Sequence, residues 1–184
     1  MLALALKCVR VPALETARLD LEPITVEHVA EAWPHLDDPR MWTFFPKLRP
    51  KSLEELRTLY ARWENPYHAK SELRENWACR ERENRQMVGT MQATTFPARA
   101  ISYIAYGIFV AYQQQGYARE AVEAVLVHLD KNLHSRRIYA EMDVRNEPSF
   151  RLVESLGFKR AKERHAVDRQ QSVNSDEYVY ELVL

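Results

Sequence analysis

The chain has 184 residues, of which 46% are hydrophobic and 28% are charged. These proportions are typical of a globular protein and exclude a disordered or fibrous chain. Lys and Arg together number 26, as do Asp and Glu, so the net charge is zero. This balance argues against a protein that binds nucleic acid or an anionic membrane surface. The length fits a single domain, 1–184, with residues 1–13 as an N-terminal extension.

The sequence contains no apolar run near the ~20 residues that a membrane-spanning helix needs. Residues 1–8 are largely apolar, but they lack a basic leading region and a small-residue cleavage site. We therefore interpret them as a mature N-terminus rather than a signal peptide. The two cysteines, Cys8 and Cys79, are too few for a disulfide framework. Reduced thiols and a cytoplasmic location are the expectation.

The first half of the chain predicts one strand and two helices. Residues 18–24 alternate between apolar and polar side chains, which indicates a strand. Thr25 is a suitable cap for a first helix, and residues 52–55 form the capping-box pattern of a second. Between them, residues 37–50 hold three prolines and several aromatic residues, so we predict an aromatic-rich loop.

The middle of the chain changes to a strand pattern. Residues 77–80 and 87–94 flank a polar turn at 83–86, and this arrangement predicts a hairpin. Residues 101–110 are largely apolar, as expected of a central strand.

The last third predicts a crossover. Residues 116–133 carry a one-sided apolar stripe typical of a helix, and residues 137–144 resemble a strand. Residues 146–156 predict a short helix that ends at Gly157, and residues 178–184 alternate as a final strand. The predicted fold is a mixed α/β (α+β) domain with an antiparallel front and a β-α-β crossover behind it.

The most informative segment joins the central strand to the amphipathic helix. It runs from Ile108 through a polar loop to Gly116 and Ala121. A helix start exposes unpaired N–H groups and a partial positive charge, and a glycine there lets phosphates approach the backbone. The amides of residues 114–119 are thus suited to hold a pyrophosphate, although a plain strand-to-helix turn has the same pattern.

Three segments of the chain resemble motifs of the GCN5-related N-acetyltransferase (GNAT) superfamily, and they occur in the order and at the spacing that the family has. The family's acetyl-CoA signature, Arg/Gln-x-x-Gly-x-Gly/Ala, is matched by residues 113–118. Its second marker is matched by Asn146, Ser149 and the Leu-Gly-Phe sequence at 156–158. Residues 14–23 resemble the start of the branch that contains the ribosomal-protein N-terminal alanine and serine acetyltransferases.

The resemblance implies a mostly antiparallel central sheet, flanked by helices and splayed at the cofactor site, where residues 101–110 and 137–144 separate. It implies acetyl-CoA as cosubstrate, with pantetheine along the central strand and a bulge at Gly107 that starts the splay. The cofactor-binding residues that it implies are Ile108, Phe109, Val110, Gln113, Gln114, Gln115, Gly116, Tyr117, Ala118, Arg119 and Asn146.

Acetyl transfer needs an amine that has lost its proton, a polarised carbonyl oxygen and a proton for the leaving thiolate. The backbone N–H of Val110 or of its neighbour is our candidate to polarise the oxygen. Ser149 is the candidate to protonate the thiolate, since the resemblance implies a hydroxyl at this position beside Asn146. Many relatives have a tyrosine acid where this chain has Val153, which leaves Ser149 or no side-chain acid. Ser149 is equally compatible with local backbone bonding, and Asn146 with a helix cap.

The base is predicted on the strand after the crossover. Glu141 and Asp143 lie two residues apart and so share a face. Glu141 matches the position of the base in some relatives, and two close carboxylates can raise one pKa. A solvated surface pair is the alternative interpretation, with water carrying the proton.

The predicted function is acetyl transfer from acetyl-CoA to a primary amine by direct attack in a ternary complex. The acceptor is a protein N-terminus or a small amine, and the protein is a monomer or a homodimer. The aromatic residues that are candidates to line the acceptor pocket, or to belong to the core, are Trp42, Phe44, Phe45 and Trp63. The alternative is a non-catalytic acyl-CoA-binding or regulatory module.

The six histidines show no metal-ligand spacing, so no metal site is predicted. His128 and His134 are interpreted as surface residues near a helix end.

Overall fold

The structure is a computed structural model that describes residues 10–45, 48–64, 72–161 and 177–184. Cys8, His68 and His165 lie outside the described residues, as do residues 1–9 of the predicted N-terminal extension. The strands of the described part are β1 (Leu14–Glu15), β2 (Leu19–Pro23), β3 (Leu73–Glu81), β4 (Met87–Phe96), β5 (Ile101–Ile108), β6 (Arg137–Asp143), β7 (Lys159–Arg160) and β8 (Glu177–Val183). The α-helices of this part are α1 (Val29–Leu36), α2 (Leu53–Glu64), α3 (Tyr117–Lys131) and α4 (Glu147–Ser155).

All eight strands belong to one sheet, in the order β1-β2-β3-β4-β5-β6-β8-β7. Neighbouring strands are antiparallel except β5 and β6, which are parallel. Helix α3 connects this parallel pair, because parallel neighbours require a crossover. The predicted antiparallel front and the β5-α3-β6 crossover are therefore confirmed.

Apolar side chains pack on both faces of the sheet. The main core joins the sheet to α3 and α4, with Trp77, Val122 and Val153 fully buried in it. A second cluster lies under α1 and α2 and includes Ala78. Since Trp77 and Ala78 are successive residues of β3, the two clusters lie on opposite faces.

The predicted elements are present, with ends that differ by a few residues. The largest difference is β3, which begins at Leu73 rather than residue 77. Residues 74–76 are polar, but Glu75 is only 1% exposed, and its carboxylate bonds Nε2 of His128 at 3.0 Å. His128 is therefore buried in the core, and the interpretation of it as a surface residue is wrong.

The predicted bulge at Gly107 is wrong. Gly107 pairs with Thr90 in an uninterrupted β4–β5 register, and the nearby register shift lies between Cys79 and Arg80 instead. The close backbone approach occurs at Gly89. A Cβ atom there would lie 2.4 Å from the carbonyl oxygen of Gly107.

Two helix ends follow the predicted chemistry. At the start of α2, the Glu55 N–H donates to Oγ of Ser52 at 3.1 Å, while the Glu55 carboxylate accepts from the N–H of Lys51. At the end of α4, Gly157 has φ +91° and the Phe158 N–H donates to the Val153 oxygen at 3.1 Å.

None of the helices in the described ranges is long and apolar enough to cross a membrane. Cys79 is buried, and burial raises the pKa of its thiol to about 12.

Candidate active site

Strands β5 and β6 run together only briefly and then separate. Residues Ile101–Ile104 pair with Arg137–Ala140, and the pairing stops there although β5 continues to Ile108 and β6 to Asp143. At a rise of about 3.3 Å per residue, the unpaired ends are on the order of 10 Å long. The predicted splay is therefore present. The separation opens a slot between the two strands. The unpaired backbone edge of β5 faces that of β6 across this slot.

The loop after β5 folds back against the end of that strand. The N–H of Phe109 donates to the Val88 oxygen at 2.9 Å, and Nε2 of Gln113 donates to the Ile108 oxygen at 3.0 Å. Val110 begins a 3-10 turn instead of continuing the strand. The strand is thus two residues shorter than predicted, and it ends where the slot is widest.

The first turn of α3 follows two residues with positive φ. Gln114 has φ +61° and Gly116 has φ +85°, a conformation that glycine adopts without strain. In the helix that starts at Tyr117, the first N–H groups have no partner within the helix and point out of its end. A Cβ atom on Gly116 would lie 3.3 Å from Nη2 of Arg18. This tight turn with its exposed amides fits an anionic diphosphate.

Arg18 fixes the loop from the other side. Its guanidinium donates to Oε2 of Glu120 at 2.7 Å and to the Gln115 oxygen at 3.0 Å, and it lies 4.7 Å from the centre of the Tyr117 ring. Thr16 also donates to Glu120, at 2.6 Å. Burial alone would raise the pKa of Glu120, but the bonds from Thr16 and Arg18 outweigh it and lower this pKa.

The side chain of Arg119 is held by α4 and by its own helix. Its guanidinium is directed at α4, where it donates to Oγ of Ser155 at 2.9 Å, and it pairs with Glu123 at 3.0 Å. Arg18 was not predicted in this region, because it lies 102 residues before Glu120, to which it donates.

The start of α4 places Asn146 and Ser149 beside the slot. Asn146 precedes the helix with φ −83° and ψ +64°, and its side chain makes no capping hydrogen bond. Its backbone oxygen accepts from the Ser149 N–H at 3.1 Å. The cap interpretation of the Asn146 side chain is therefore not realised, which leaves the amide group available for a ligand.

Ser149 bonds across the slot to a residue that sequence reasoning missed. The hydroxyl oxygen of Tyr106 lies 2.8 Å from Oγ of Ser149 and 3.2 Å from its carbonyl oxygen. Burial raises the pKa of Tyr106 to about 12. A signal was present in the sequence, because Tyr106 alternates with Ile104 and Ile108 and so shares their face of β5.

Glu141 and Asp143 differ in their surroundings. Asp143 is fully buried and receives three bonds from Arg145, two from the guanidinium at 2.8 and 2.6 Å and one from the backbone N–H at 2.9 Å. The Arg145 hydrogen bonds outweigh burial and lower the pKa of Asp143. The expectation that two close carboxylates raise one pKa is thus wrong for Asp143. Arg145 already neutralises that carboxylate.

Glu141 is the first residue of β6 beyond the paired segment, and it is exposed. It lies on the face opposite α3 and α4, because its neighbours Ala140 and Met142 belong to the main core. Its charge acts on Tyr103: burial first, and then the Glu141 carboxylate, raise the pKa of Tyr103 to about 12. Glu141 is therefore at the vertex of the slot, on the side away from Ser149.

The face of Glu141 is partly covered by the segment after α1. A Cβ atom on Gly107 would lie 3.8 Å from Cε of Met41, and the His35 ring stacks on Phe109 at 4.6 Å. Trp42 and Trp63 pack against the second cluster, and Trp42 donates to the Leu36 oxygen at 2.7 Å. The predicted aromatic loop thus forms a wall beside the end of β5 as well as part of the core.

Across the described residues, no group of three or more His, Cys, Asp or Glu side chains is placed to hold a metal ion.

Similar proteins share this architecture. YoaA of Bacillus subtilis (strain 168), an uncharacterised N-acetyltransferase, is 25% identical over 176 residues, which is 94% of this chain and 97% of that protein. The crystal structure of a GNAT-family acetyltransferase from Bacillus anthracis has a TM-score of 0.77 at 21% identity, covering 94% of this chain and 98% of that one.

A structure of RimL, a ribosomal L7/L12 alpha-N-protein acetyltransferase, in complex with coenzyme A has a TM-score of 0.73 at 16% identity and covers 94% and 98% of the two chains. A family model described as an acetyltransferase (GNAT) domain matches residues 18–159, well over half of the 184 residues. The chain therefore belongs to the GNAT superfamily and is an acyltransferase.

Proposed function

We propose that this chain forms one domain that transfers an acetyl group from acetyl-CoA to a primary amine, with both substrates bound at once. The observation that carries the proposal is the slot between β5 and β6, which ends at the exposed amides of α3. A strand edge and a helix start are the two backbone features that a pantetheine arm and a diphosphate require.

The chain offers distinct residues to each part of the cosubstrate. The amides from Gln114 to Arg119 are suited to the diphosphate, with the Arg18 guanidinium close by. The backbone of Ile108 and Val110 lies at the open end of the slot and is suited to the pantetheine amides and the thioester oxygen, whereas the Phe109 N–H already donates to the Val88 oxygen. Asn146 lies at the start of α4, and its side-chain amide makes no capping hydrogen bond.

When bound, acetyl-CoA supplies the activated acetyl thioester. Ser149, on the α4 side, is placed to donate a hydrogen bond to the sulfur that leaves. Glu141, on the opposite face at the vertex of the slot, is placed to accept the proton of the incoming amine, directly or through water. The amine thus approaches from one face while the leaving group is stabilised from the other, so that both residues can act on the same bound thioester.

We propose a protein N-terminus as the acceptor. The structural relatives include RimL, whose acceptor is the N-terminus of ribosomal L7/L12, and a proposed ribosomal-protein-serine acetyltransferase from Vibrio cholerae with a TM-score of 0.75. Glu141 is exposed although the Met41 side chain lies near Gly107 on the same face, and an extended chain end can reach an exposed carboxylate at the surface.

The experiment is an acceptor screen with the purified full-length chain. Acetyl-CoA is mixed with peptides that begin with Ala or Ser, with the same peptides blocked at the N-terminus, and with small amines. Thiol release is followed together with the mass of the acceptor. We expect thiol release and an acetylated N-terminus with the free peptides and neither with the blocked ones. If no amine is acetylated and calorimetry detects no binding of coenzyme A, the proposal is wrong.

A further inference from the structure

Tyr106 and Ser149 connect the two sides of the slot. Tyr106 is the second residue of β5 beyond the paired segment, and Ser149 is in the first turn of α4, which follows β6. Their hydroxyl oxygens are 2.8 Å apart. The contact therefore lies in the path between the separating strands, where the sulfur of the proposed cosubstrate would pass.

The hydrogen atoms of this pair have two possible arrangements. Tyr106 has a single hydroxyl hydrogen, and it can donate either to Oγ of Ser149 at 2.8 Å or to the Ser149 carbonyl oxygen at 3.2 Å. If Tyr106 donates to Oγ, the hydrogen of Ser149 must point elsewhere and is free to donate onward. If Tyr106 donates to the carbonyl oxygen, Oγ of Ser149 can donate back to the phenol. The hydrogen of Ser149 is then not available to a ligand.

The shorter contact favours the first arrangement. Burial raises the pKa of Tyr106 to about 12, so the phenol keeps its hydrogen at neutral pH and acts as a donor. A hydroxyl that receives a hydrogen bond becomes a better donor itself, because neighbouring bonds in a chain polarise one another. Tyr106 thereby both directs and strengthens the Ser149 hydroxyl.

We propose that Tyr106 is a positioning residue, which holds the Ser149 hydroxyl with its hydrogen directed at the sulfur of coenzyme A. The proposal rests on the proposed function and extends it to a residue on the central strand. No proton is transferred from Tyr106. The negative charge on the leaving sulfur is stabilised by hydrogen bonds, and the thiolate takes its proton from water afterwards.

Tyr180 provides a matched control for a purely structural role of Tyr106. The hydroxyl of Tyr180 on β8 donates to Oε1 of Glu154 on α4 at 2.7 Å. Both tyrosines therefore fasten α4 to the sheet, but Tyr180 is on the far side of β6 from the slot. Tyr180→Phe removes a comparable bond without touching the proposed donor chain.

The test measures the thiol of bound coenzyme A rather than turnover. Wild type, Tyr106→Phe, Ser149→Ala, the double variant and Tyr180→Phe are each saturated with coenzyme A. The thiolate is then titrated by its ultraviolet absorbance between roughly pH 7 and 10, against the same protein with desulfo-coenzyme A. Binding of both ligands is measured by calorimetry.

We expect Tyr106→Phe and Ser149→Ala each to raise the pKa of the bound thiol by about one unit, a tenfold change in its ionisation constant. The double variant should raise it little further, because both changes break one chain. Tyr180→Phe should leave this pKa unchanged, and the affinity for desulfo-coenzyme A should be unaffected in all four variants.

Two results would overturn the assignment of Tyr106 alone. One is an unchanged thiol pKa in Tyr106→Phe while Ser149→Ala raises it. The other is a double variant whose shift equals the sum of the two single shifts. Failure of the proposed function is distinguishable, because wild type would then bind neither coenzyme A nor its desulfo analogue.

Discussion

Ser149 combines a local contact with a place beside the slot, and the two roles predict different kinetics. Its Oγ bonds Tyr106 and its N–H bonds the Asn146 oxygen, so the hydroxyl is held at the start of α4. A group that acts only as the thiolate forms affects turnover and not cosubstrate binding.

We predict that Ser149→Ala lowers kcat on the order of tenfold to a hundredfold while the Kd for acetyl-CoA changes little. Steady-state kinetics and calorimetry check this. Ser52→Ala is the control, because Ser52 is also a hydroxyl at a helix start, where Oγ accepts from the Glu55 N–H. An equal loss of kcat in both variants would assign Ser149 a structural role.

If Glu141 acts as the base, its replacement should cause a loss of activity that depends on pH. Replacement by Gln keeps the shape of the side chain and removes its ability to accept a proton. We predict that Glu141→Gln lowers kcat/KM by about 10²-fold near neutral pH and by much less at high pH, where the amine is already deprotonated. A pH–rate profile checks this prediction. A constant ratio to wild type at every pH would contradict the role of Glu141 as base.

At the scale of single residues, the sequence predicted a structural role where a residue type has one dominant role. Gly116 has positive φ at the predicted helix start. Arg18 and Tyr106 were missed, because arginine and tyrosine occur in many environments and only the folded chain brings them to Gln115 and Ser149.

At the scale of the elements, the loop before α3 depends on a conformation that β-branched residues adopt poorly. Gly116 has φ +85°, and its missing Cβ leaves room for Nη2 of Arg18. The cost of such a backbone conformation for a side-chain-bearing residue is about 1–3 kcal/mol. The loop can relieve this strain only by moving its amides.

We predict that Gly116→Val weakens coenzyme A binding by about tenfold or more, since about 1.4 kcal/mol is a tenfold change, and leaves the fold intact. Calorimetry and circular dichroism check this. Gly157→Val is the control, because Gly157 also has positive φ, at +91°, but lies at the end of α4. Unchanged affinity in Gly116→Val would place the diphosphate elsewhere.

Gly89 and Gly107 lie close together on the paired strands β4 and β5, but we expect opposite outcomes when each is replaced by alanine. A Cβ atom on Gly89 would lie 2.4 Å from the Gly107 oxygen and 2.9 Å from Cα of Ile108, both backbone atoms. A Cβ atom on Gly107 would meet only side-chain atoms at ordinary contact distances, Cε of Met41 at 3.8 Å and Oγ1 of Thr90 at 4.0 Å. One position cannot accept a methyl group without moving a strand, and the other can.

We predict that Gly89→Ala lowers the free energy of unfolding by about 1–3 kcal/mol, as overpacking does, while Gly107→Ala changes it by less than about 1 kcal/mol. Urea unfolding of both variants checks this. Equal stability of the two variants would contradict the close approach at Gly89.

At the scale of the whole molecule, several carboxylates have a lowered pKa in the folded state. Arg145 lowers the pKa of Asp143, and hydrogen bonds from Thr16 and Arg18 lower that of Glu120 against the effect of burial. The unfolded chain lacks these partners, so in acid it binds more protons than the folded chain. The stabilisation is complete above the ordinary carboxyl pKa of about 4 and is lost as the pH falls through the folded values.

We predict that the free energy of unfolding is nearly constant from pH 7 to about 5 and decreases below about pH 4. Glu120→Gln should make this decrease shallower, because it removes one of the groups that take up a proton. Urea unfolding at a series of pH values checks both statements. A decrease of the same steepness in Glu120→Gln would show that Glu120 does not contribute.

The general architecture could be predicted from the sequence because it follows from local patterns. The alternation in residues 18–24 and the apolar stripe of residues 116–133 each predicted an element that is present. Long-range partners could not be predicted. The start of β3 was missed because Glu75 looks exposed until His128, 53 residues away, is brought to it.

The brief parallel pairing of β5 and β6 has an evolutionary consequence. The slot is formed by the courses of two backbones, so its dimensions do not depend on the identity of many side chains. A family of proteins can therefore replace most of its residues during evolution and keep the same slot. This accounts for relatives that share only 16–21% of their residues with this chain and still superpose with TM-scores of 0.73–0.77. Divergence is then free to alter the exposed face that carries Glu141 and, with it, the amine acceptor proposed above.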